Sequence, residues 1–242
     1  MPPRSPSPTR TPDVADRGER TARPEHRWPP VVAVVVAMAL YTFLPSGLFE
    51  VQRYVVVGIG VVLLIPLIVL NPHRYTKETR FSRLSEVGLA LLIVVANQLT
   101  LVLLIIQLVH KSNQGGALLL ASLQVWVTNV IAFALLFWCL DRGGPVARTT
   151  QPRAKMRRAD FRFPQDEDAD TVAEVAKGSS EKSDWVPTFI DYLYFSLSNS
   201  MAFSPTDTMP LTTRAKSLMA IESFAGFVML ALVIARAVGQ IG

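Results

Sequence analysis

Apolar residues fall in long blocks separated by short polar stretches. The first block runs from Pro30 to Phe49, with Trp28 at its start as an interface anchor and Pro45-Ser46-Gly47 breaking it near its far end. The second, Tyr54 to Leu70, is rich in valine and leucine, carries Pro66 late as a kink, and ends at Asn71-Pro72. A third lies between Glu86 and Val109, and a fourth runs from Ala117 to Leu140 after the turn Lys111 to Gly116. The last, Ser217 to Val238, follows an amphipathic stretch, Asp191 to Ser196, and a helix-breaking run from Ser204 to Pro210. Blocks of about 20 apolar residues predict helices that cross a bilayer. The fold class is therefore all-α, a polytopic membrane helix bundle of about five to six spans. Its C-terminal part reads as half-helix, loop and full helix. Four regions follow: a disordered tail over 1–28, a four-helix membrane region over 29–140, a hydrophilic loop over 141–184, and a helix–loop–helix segment over 185–242.

Polar side chains inside the blocks follow helical spacing. Asn97, Thr100 and Gln107 share a face with Leu104, Ser122 shares one with Asn129, and Gln124 shares another with Thr128. Two readings stay open: a polar path at mid-membrane, or interhelical hydrogen bonds contributing roughly 0.6 kcal/mol each. Glu222 is the one acid in the last block, where an unpaired charge costs roughly 3 kcal/mol on insertion scales. It is either a proton or cation site, or a neutral acid bonded to Asn199 or a serine.

Charge fixes an orientation. The formal net charge is +5, with the lysines and arginines gathered in loops. Six lie in the tail, four between the second and third blocks, and nine in the long loop, nineteen in all, against two (Arg53 and Lys111) in the alternate turns. Nineteen against two places the N-terminus, Arg74 to Arg83 and the long loop in the cytoplasm of a multi-pass plasma-membrane protein. The long loop is basic in its first half and acidic in its second, and is expected to be solvated, with its basic half on anionic lipid headgroups. Its Phe161-Arg162-Phe163-Pro164 piece is a candidate for packing on a helix end. The tail, with Pro2, Pro3, Pro6, Pro8, Pro12 and Pro24 and hardly any apolar residues, is expected to be disordered rather than a signal peptide.

Candidate chemistry changes little. Cys139 is the only cysteine, so no intrachain disulfide or cysteine metal cluster forms. His26, His73 and His110 lie far apart. No nucleophile–base pair, phosphate-binding glycine loop or metal-ligand cluster is present, so no enzymatic activity, metal or cofactor is expected. Nucleic acid is not an expected partner; the lipid bilayer and further copies of the chain are.

From Asp191 onward the chain resembles the pore module of bacterial potassium channels. Asp191, Leu193 to Ser196, Asp207, Pro210 and Thr212 coincide with that pattern, while Ala215 and Lys216 replace its glycine and arginine. The resemblance makes Asp191 the start of a pore half-helix, and Asn199, Ala202, Phe203, Ser204, Pro205, Thr206 and Asp207 a pore-like loop. Gly226 stands where a gating-hinge glycine would fall. The filter departs completely, because Ala202-Phe203-Ser204-Pro205-Thr206 holds no glycine and Pro205 restricts both itself and Ser204. It cannot form an inward carbonyl ladder, so potassium selectivity is not carried over. The stretch is also similar to a family of bacterial, often actinobacterial, integral membrane proteins with an A-F-S-P-T-D-T-M-P-L motif, here Ala202 to Leu211. That second resemblance implies no activity.

Four spans from a cytoplasmic N-terminus return the chain to the cytoplasm, the wrong side for a potassium-channel half-helix. Eighteen residues, Val186 to Phe203, would reach about 27 Å as helix, so this segment is expected to span rather than re-enter. The functional readings are three: a pore-derived membrane protein, a small-solute or proton-linked transporter using Asn97, Gln107 and Glu222, and a non-conducting scaffold with the long loop as its contact surface. Asp207 is expected to cap a turn or the last helix.

Overall fold

The structure of the protein, a computed structural model, describes residues 22, 24–43, 54, 57–62, 64–65, 79–110, 115–201 and 207–241. Pro45 to Gly47, Pro66, Asn71-Pro72, most of the tail and Ala202 to Thr206 lie outside these residues. Proline at the first turn, where its missing N–H costs nothing, starts α1 (Trp28–Thr42). A reciprocal cap starts α2 (Arg80–His110), with Ser82 N donating to Thr79 Oγ1 and Thr79 N to Ser82 Oγ, both at 3.0 Å. The apolar run after the Gly115-Gly116 pair forms α3 (Gly115–Leu140).

Among the described residues three helices are long and apolar enough to cross a membrane: Arg80–Gln107, Leu119–Gly143 and Thr213–Ala235. The apolar α1 is shorter, at 15 residues, and residues 57–62 are helical. The bundle is organised on α3, against which α1, α2 and the two C-terminal helices pack. Ala132, Phe133, Ala134, Leu136 and Phe137 are each completely buried there.

A left-handed turn ends α3. Arg142, Gly143 and Gly144 have φ of 52°, 91° and 96°, and the two glycines adopt this region without a Cβ penalty. The chain then reverses into the six-residue α4 (Pro145–Thr150). Of residues 141–184, expected to be solvated, 141–149 and 160–163 fold as a cap over the ends of the helices, while 150–158 stay largely exposed. The physical reason is a set of aromatic residues the charges obscured. Phe161 lies 5.1 Å from Phe137 and 4.9 Å from Phe195 by ring centroids, and Phe163 lies 5.4 Å from Tyr192. Phe161 and Phe163 are buried, so the expectation that this piece packs on a helix end holds. Two short strands, β1 (Phe161–Arg162) and β2 (Met209–Pro210), pair antiparallel and tie the cap to the start of the last helix.

Charges inside the cap are matched. Asp141 accepts from Tyr192 Oη at 2.5 Å and from Asp160 N at 2.7 Å. Arg142 pairs with Asp166, and Arg214 with Asp160. Burial raises the Asp166 carboxyl, but Arg142, the Ser180 hydroxyl and the Phe163 N–H outweigh it and hold the group below its ordinary range. Arg148, 1% exposed, donates to Trp138 O at 2.6 Å and Asp141 O at 3.1 Å, with its guanidinium 5.1 Å from the centre of the Tyr192 ring.

Two helices complete the chain. The capping box Thr188–Asp191 starts α5 (Phe189–Ser200), Asp191 Oδ2 accepting from Thr188 N at 2.7 Å. Thr212 Oγ1, which accepts from Ala215 N at 3.2 Å and donates to Asp160, starts α6 (Thr213–Ile241). The 12 residues of α5 extend about 18 Å, short of a hydrocarbon core of about 30 Å. The expected span over 186–203 is therefore not formed by α5. Its partner α6 runs parallel to it: Ser196 meets Glu222, and four residues on Ser200 meets Gly226.

Glu25, just before α1, is seated in the same cap. Its carboxylate accepts from Trp138 Nε1 at 2.9 Å and Phe189 N at 2.5 Å, with Arg148 at 3.9 Å. Burial pushes this carboxyl above its ordinary 4.5, against the pull of Arg148 and the two donors; Asp191 adds a smaller push upward. The folded protein thus holds the Glu25 proton more tightly than the unfolded chain. The associated stability is complete below pH 4.5 and is lost as pH rises through the elevated value. Glu25→Gln removes this titration, so wild type should lose stability relative to the variant between pH 4.5 and neutrality in detergent-solubilised thermal unfolding. Parallel pH profiles would contradict it.

Candidate functional site

Polar residues at positions 192, 196, 199 and 200 recur at helical spacing along α5 and are turned inward. Tyr192 reaches up to Asp141 in the cap, while Ser196, Asn199 and Ser200 face α3 and α6. On α6 the matching positions are Glu222, Ser223 and Gly226. Such a face is unsuited to lipid, and here all of it but the half-buried Ser223 is covered.

Glu222 is the centre of this cluster and is 0% exposed. Asn199 Nδ2 donates to its Oε2 at 2.6 Å and to Met219 O at 3.1 Å. Ser223 Oγ lies 2.9 Å from Asn199 Oδ1 and 3.0 Å from Asn199 O. Ser196 Oγ contacts Glu222 Oε1 and lies 2.8 Å from Val130 O on α3. A serine carries one hydroxyl hydrogen and cannot donate to both acceptors. If Glu222 bears a proton on Oε1, its O–H donates to Ser196 Oγ and the serine hydrogen goes to Val130 O. Both contacts of Ser196 are then hydrogen bonds and no charge is buried, while the single hydrogen of Ser223 is left to the two oxygens of Asn199. The cluster thus fits a neutral carboxylic acid that ties α3, α5 and α6 together.

One turn below, α5 and α6 approach at Gly226. A Cβ placed there would overlap the Ser200 carbonyl oxygen and come within 3.2 Å of Ser200 Cα. The glycine lets backbone meet backbone. A hinge needs conformational freedom, whereas this position is continuously helical and closed over by a neighbour. Sequence alone cannot separate these roles, because both require the absence of a side chain.

The other expected residues are spread out. Asp191 caps the start of α5. Asp207 is exposed, and the last helix is capped by Thr212 instead. Ala202, Phe203, Ser204, Pro205 and Thr206 lie outside the described residues. In the bundle, Asn97 Nδ2 and Gln98 Nε2 both donate to Asn129 Oδ1, at 3.0 and 2.9 Å. Thr100 and Thr128 bond carbonyls of their own helices. Asn97 Oδ1 and Asn129 Nδ2 are buried without a partner among the described residues. Val130 follows Asn129 directly, so this amide pair and the Glu222 cluster lie at one level of the bundle. Gln107 is partly exposed and does not join them. Among the described residues no three His, Cys, Asp or Glu side chains converge as a metal site.

Sequence reasoning expected Asn199 or a serine beside Glu222 without saying which serine; Ser196 is the one that contacts it, and Ser200 and Ser223 were not singled out. Their signal was available: the three serines and Asn199 fall on the faces that would bring an isolated acid its partners. Comparisons with protein-family models, curated proteins and solved structures give no match to this chain.

Gly226→Ala must push the Ser200 backbone aside and should destabilise by about 1–3 kcal/mol. Asn199→Leu leaves buried groups unmatched and should cost a similar about 1–3 kcal/mol. Glu222→Gln retains both an oxygen and a donor, and should unfold close to wild type. Thermal unfolding in micelles measures all three. Wild-type stability in Gly226→Ala would contradict the close approach, and severe loss in Glu222→Gln would reveal a buried ion rather than a neutral acid.

Proposed function

We propose that the chain is a multi-pass plasma-membrane protein built on a pore-type re-entrant unit that does not select potassium. The observation that carries this reading is the parallel course of α5 and α6. Both start in the cap, and Ser196–Glu222 and Ser200–Gly226 hold them side by side at matched depth. α5 descends from the cap and β2 lies back in it, the relation between half-helix and full helix in a pore module.

Five spans then follow: α1, the block over 54–70, α2, α3 and α6, with α5 re-entering from the cytoplasm. The nineteen-to-two distribution of lysine and arginine supports that sidedness. So does the gathering of Glu25, the start of α2, the end of α3 and the starts of α5 and α6 at one end of the bundle. The exposed apolar face of α6, including Phe224, Phe227 and Ile234, suits lipid or a further copy of the chain. The A-F-S-P-T-D-T-M-P-L stretch supports membership of the bacterial membrane-protein family it resembles. No catalytic role is proposed.

A second reading, a small-solute or proton-linked transporter, draws on the unpaired Asn97 and Asn129 amide atoms at the level of Glu222. Potassium-loaded and sodium-loaded liposomes containing the purified protein separate these readings. A pore-type unit with the Ala202-to-Thr206 loop should pass potassium no faster than sodium, and Glu222→Gln should leave that leak unchanged. Loss of flux in Glu222→Gln would favour the transporter. A clear potassium preference would overturn the reading of the loop, and no flux of any kind would leave the unit a structural, scaffold role. Sidedness is checked separately in a Cys139→Ser background. Reporter cysteines at 52 and 112 should label with an impermeant thiol reagent in intact cells, and one at 150 should not. The opposite pattern would reverse the orientation.

A further inference from the structure

The described residues before α1, 22 and 24–27, are held against the end of α3 and the start of α5 by two contacts. Ala22 N donates to Asp184 Oδ2 at 3.1 Å, and Arg153 Nε holds the same carboxylate through Oδ1 at 2.8 Å. Three residues on, Glu25 reaches three elements at once: Trp138 Nε1 in the last turn of α3, Phe189 N in the first turn of α5, and Arg148 of α4. The Phe189 N–H is one of those that a helix start leaves without a partner in its own helix, and the capping box of Thr188 and Asp191 does not use it. A carboxylate from another part of the chain supplies that cap. Between Glu25 and α1 stand only His26, which is exposed, and Arg27, whose carbonyl already accepts from Val31 N as the helix begins. The segment can therefore swing outward about His26 with α1 left in place.

The charges around Glu25 decide which form it holds there. Arg148 compensates it only in part, because Nη1 is engaged by Trp138 O and Asp141 O, and Nη2 stands 3.9 Å from Glu25 Oε2, beyond hydrogen-bond range. From α5 the facing charge is Asp191, which repels a carboxylate. From α3 come the neutral Trp138 indole and the nearby Cys139 thiol. Towards α2 the charged groups are Arg83 and Glu86, which act on Cys139, and Arg27, which lines one crevice with Glu86. Asp184 at the Ala22 end is paired with Arg153. The two N–H donors and the positive end of α5 favour the ionised carboxyl, whereas burial and Asp191 favour the protonated one, and burial is the largest influence. Swinging out to water removes that burial. The docked carboxyl therefore binds its proton more tightly than the released one, and release becomes easier as pH rises above 4.5.

We propose that this segment is a proton-operated strap, with Glu25 as the latch that clamps the start of α5 when protonated and lets it go when ionised. Opening uncovers the Phe189 N–H and the Trp138 indole together and uncouples α5 from the start of α1. The bond from Tyr192 to Asp141 keeps α5 in the cap meanwhile, so the strap opens with the bundle intact. The inference does not rest on the re-entrant reading, since it concerns only where α5 begins.

The test uses the full chain in neutral-detergent micelles, in the Cys139→Ser background. A nitroxide attached through Ala22→Cys reports the strap, because its spectrum separates an immobilised from a mobile population. A second, attached through Ala173→Cys at an exposed position of the hydrophilic loop, reports the rest of the fold. Well below the unfolding temperature, the ratio of mobile to immobilised label at 22 should rise at least about threefold between pH 4.5 and about pH 8, with the label at 173 unchanged. Glu25→Gln carries no titrating proton and should hold one constant ratio across that range. Glu25→Ala, which has no latch, should be mobile at every pH while the label at 173 keeps its wild-type spectrum. A label at 22 that ignores pH in the parent chain would overturn the strap, as would a response shared by both labels, which is general loosening. A pH response that persists in Glu25→Gln would place the titrating group elsewhere, and an immobilised label in Glu25→Ala would show that Glu25 is not the latch; either result overturns the proposal.

Discussion

On the proposed re-entrant reading, α5 stops partway through a bilayer where no water can satisfy its polar groups, so whatever lies at its end must be answered by protein. That constraint shapes the α5–α6 pair. The amide of Asn199, the hydroxyls of Ser196 and Ser223 and the carboxyl of Glu222 answer one another, with Val130 O and Met219 O taking the remaining hydrogens. Glu222 is costly in the last helix unless it is bonded in this way, and the polar face of α5 is costly unless it faces Glu222. Each removes the reason the other would be expelled. Gly226 then permits the close approach that brings them within reach.

The cap supplies the second half of the arrangement. A parallel pair requires both helices to start on one side, and residues 141–184 hold both starts. Asp160 binds Thr212 and Arg214 at the start of α6, while Asp141 binds Tyr192 one turn into α5. Glu25 brings the segment before α1 to the same place through Trp138 and the Phe189 N–H. The matched ions of the cap confer geometry more than stability, since buried pairs roughly offset their own desolvation. Packing energy comes from the rings of Phe137, Phe161, Phe163, Tyr192 and Phe195.

How much of this was legible follows from the range of the interactions. The apolar runs of α2, α3 and α6 are local, and so is the start of α5 at Asp191; these can be read directly. Glu222 was visible as an anomaly and Asn199 as one answer to it, because an acid in an apolar helix demands a partner. The cap was hidden: its pairs join Asp141 to Tyr192 and Asp160 to Arg214, more than 50 residues apart, and a loop rich in both charges looks solvated until those partners are known. The length of α5 was misjudged because eighteen residues that could be helical were counted as helix, whereas the helix ends at Ser200.

The parallel, same-sided course of α5 and α6 is the claim on which the rest stands, and a distance measures it directly. Spin labels at positions 188 and 213, the residues flanking the two helix starts, report their separation in lipid nanodiscs by pulsed electron resonance. If both helices start in the cap, the separation is well below the thickness of the hydrocarbon core. If α5 instead belongs to a segment that spans and α6 returns from the far side, the labels sit on opposite surfaces, about 30 Å or more apart. That longer distance would contradict the re-entrant unit.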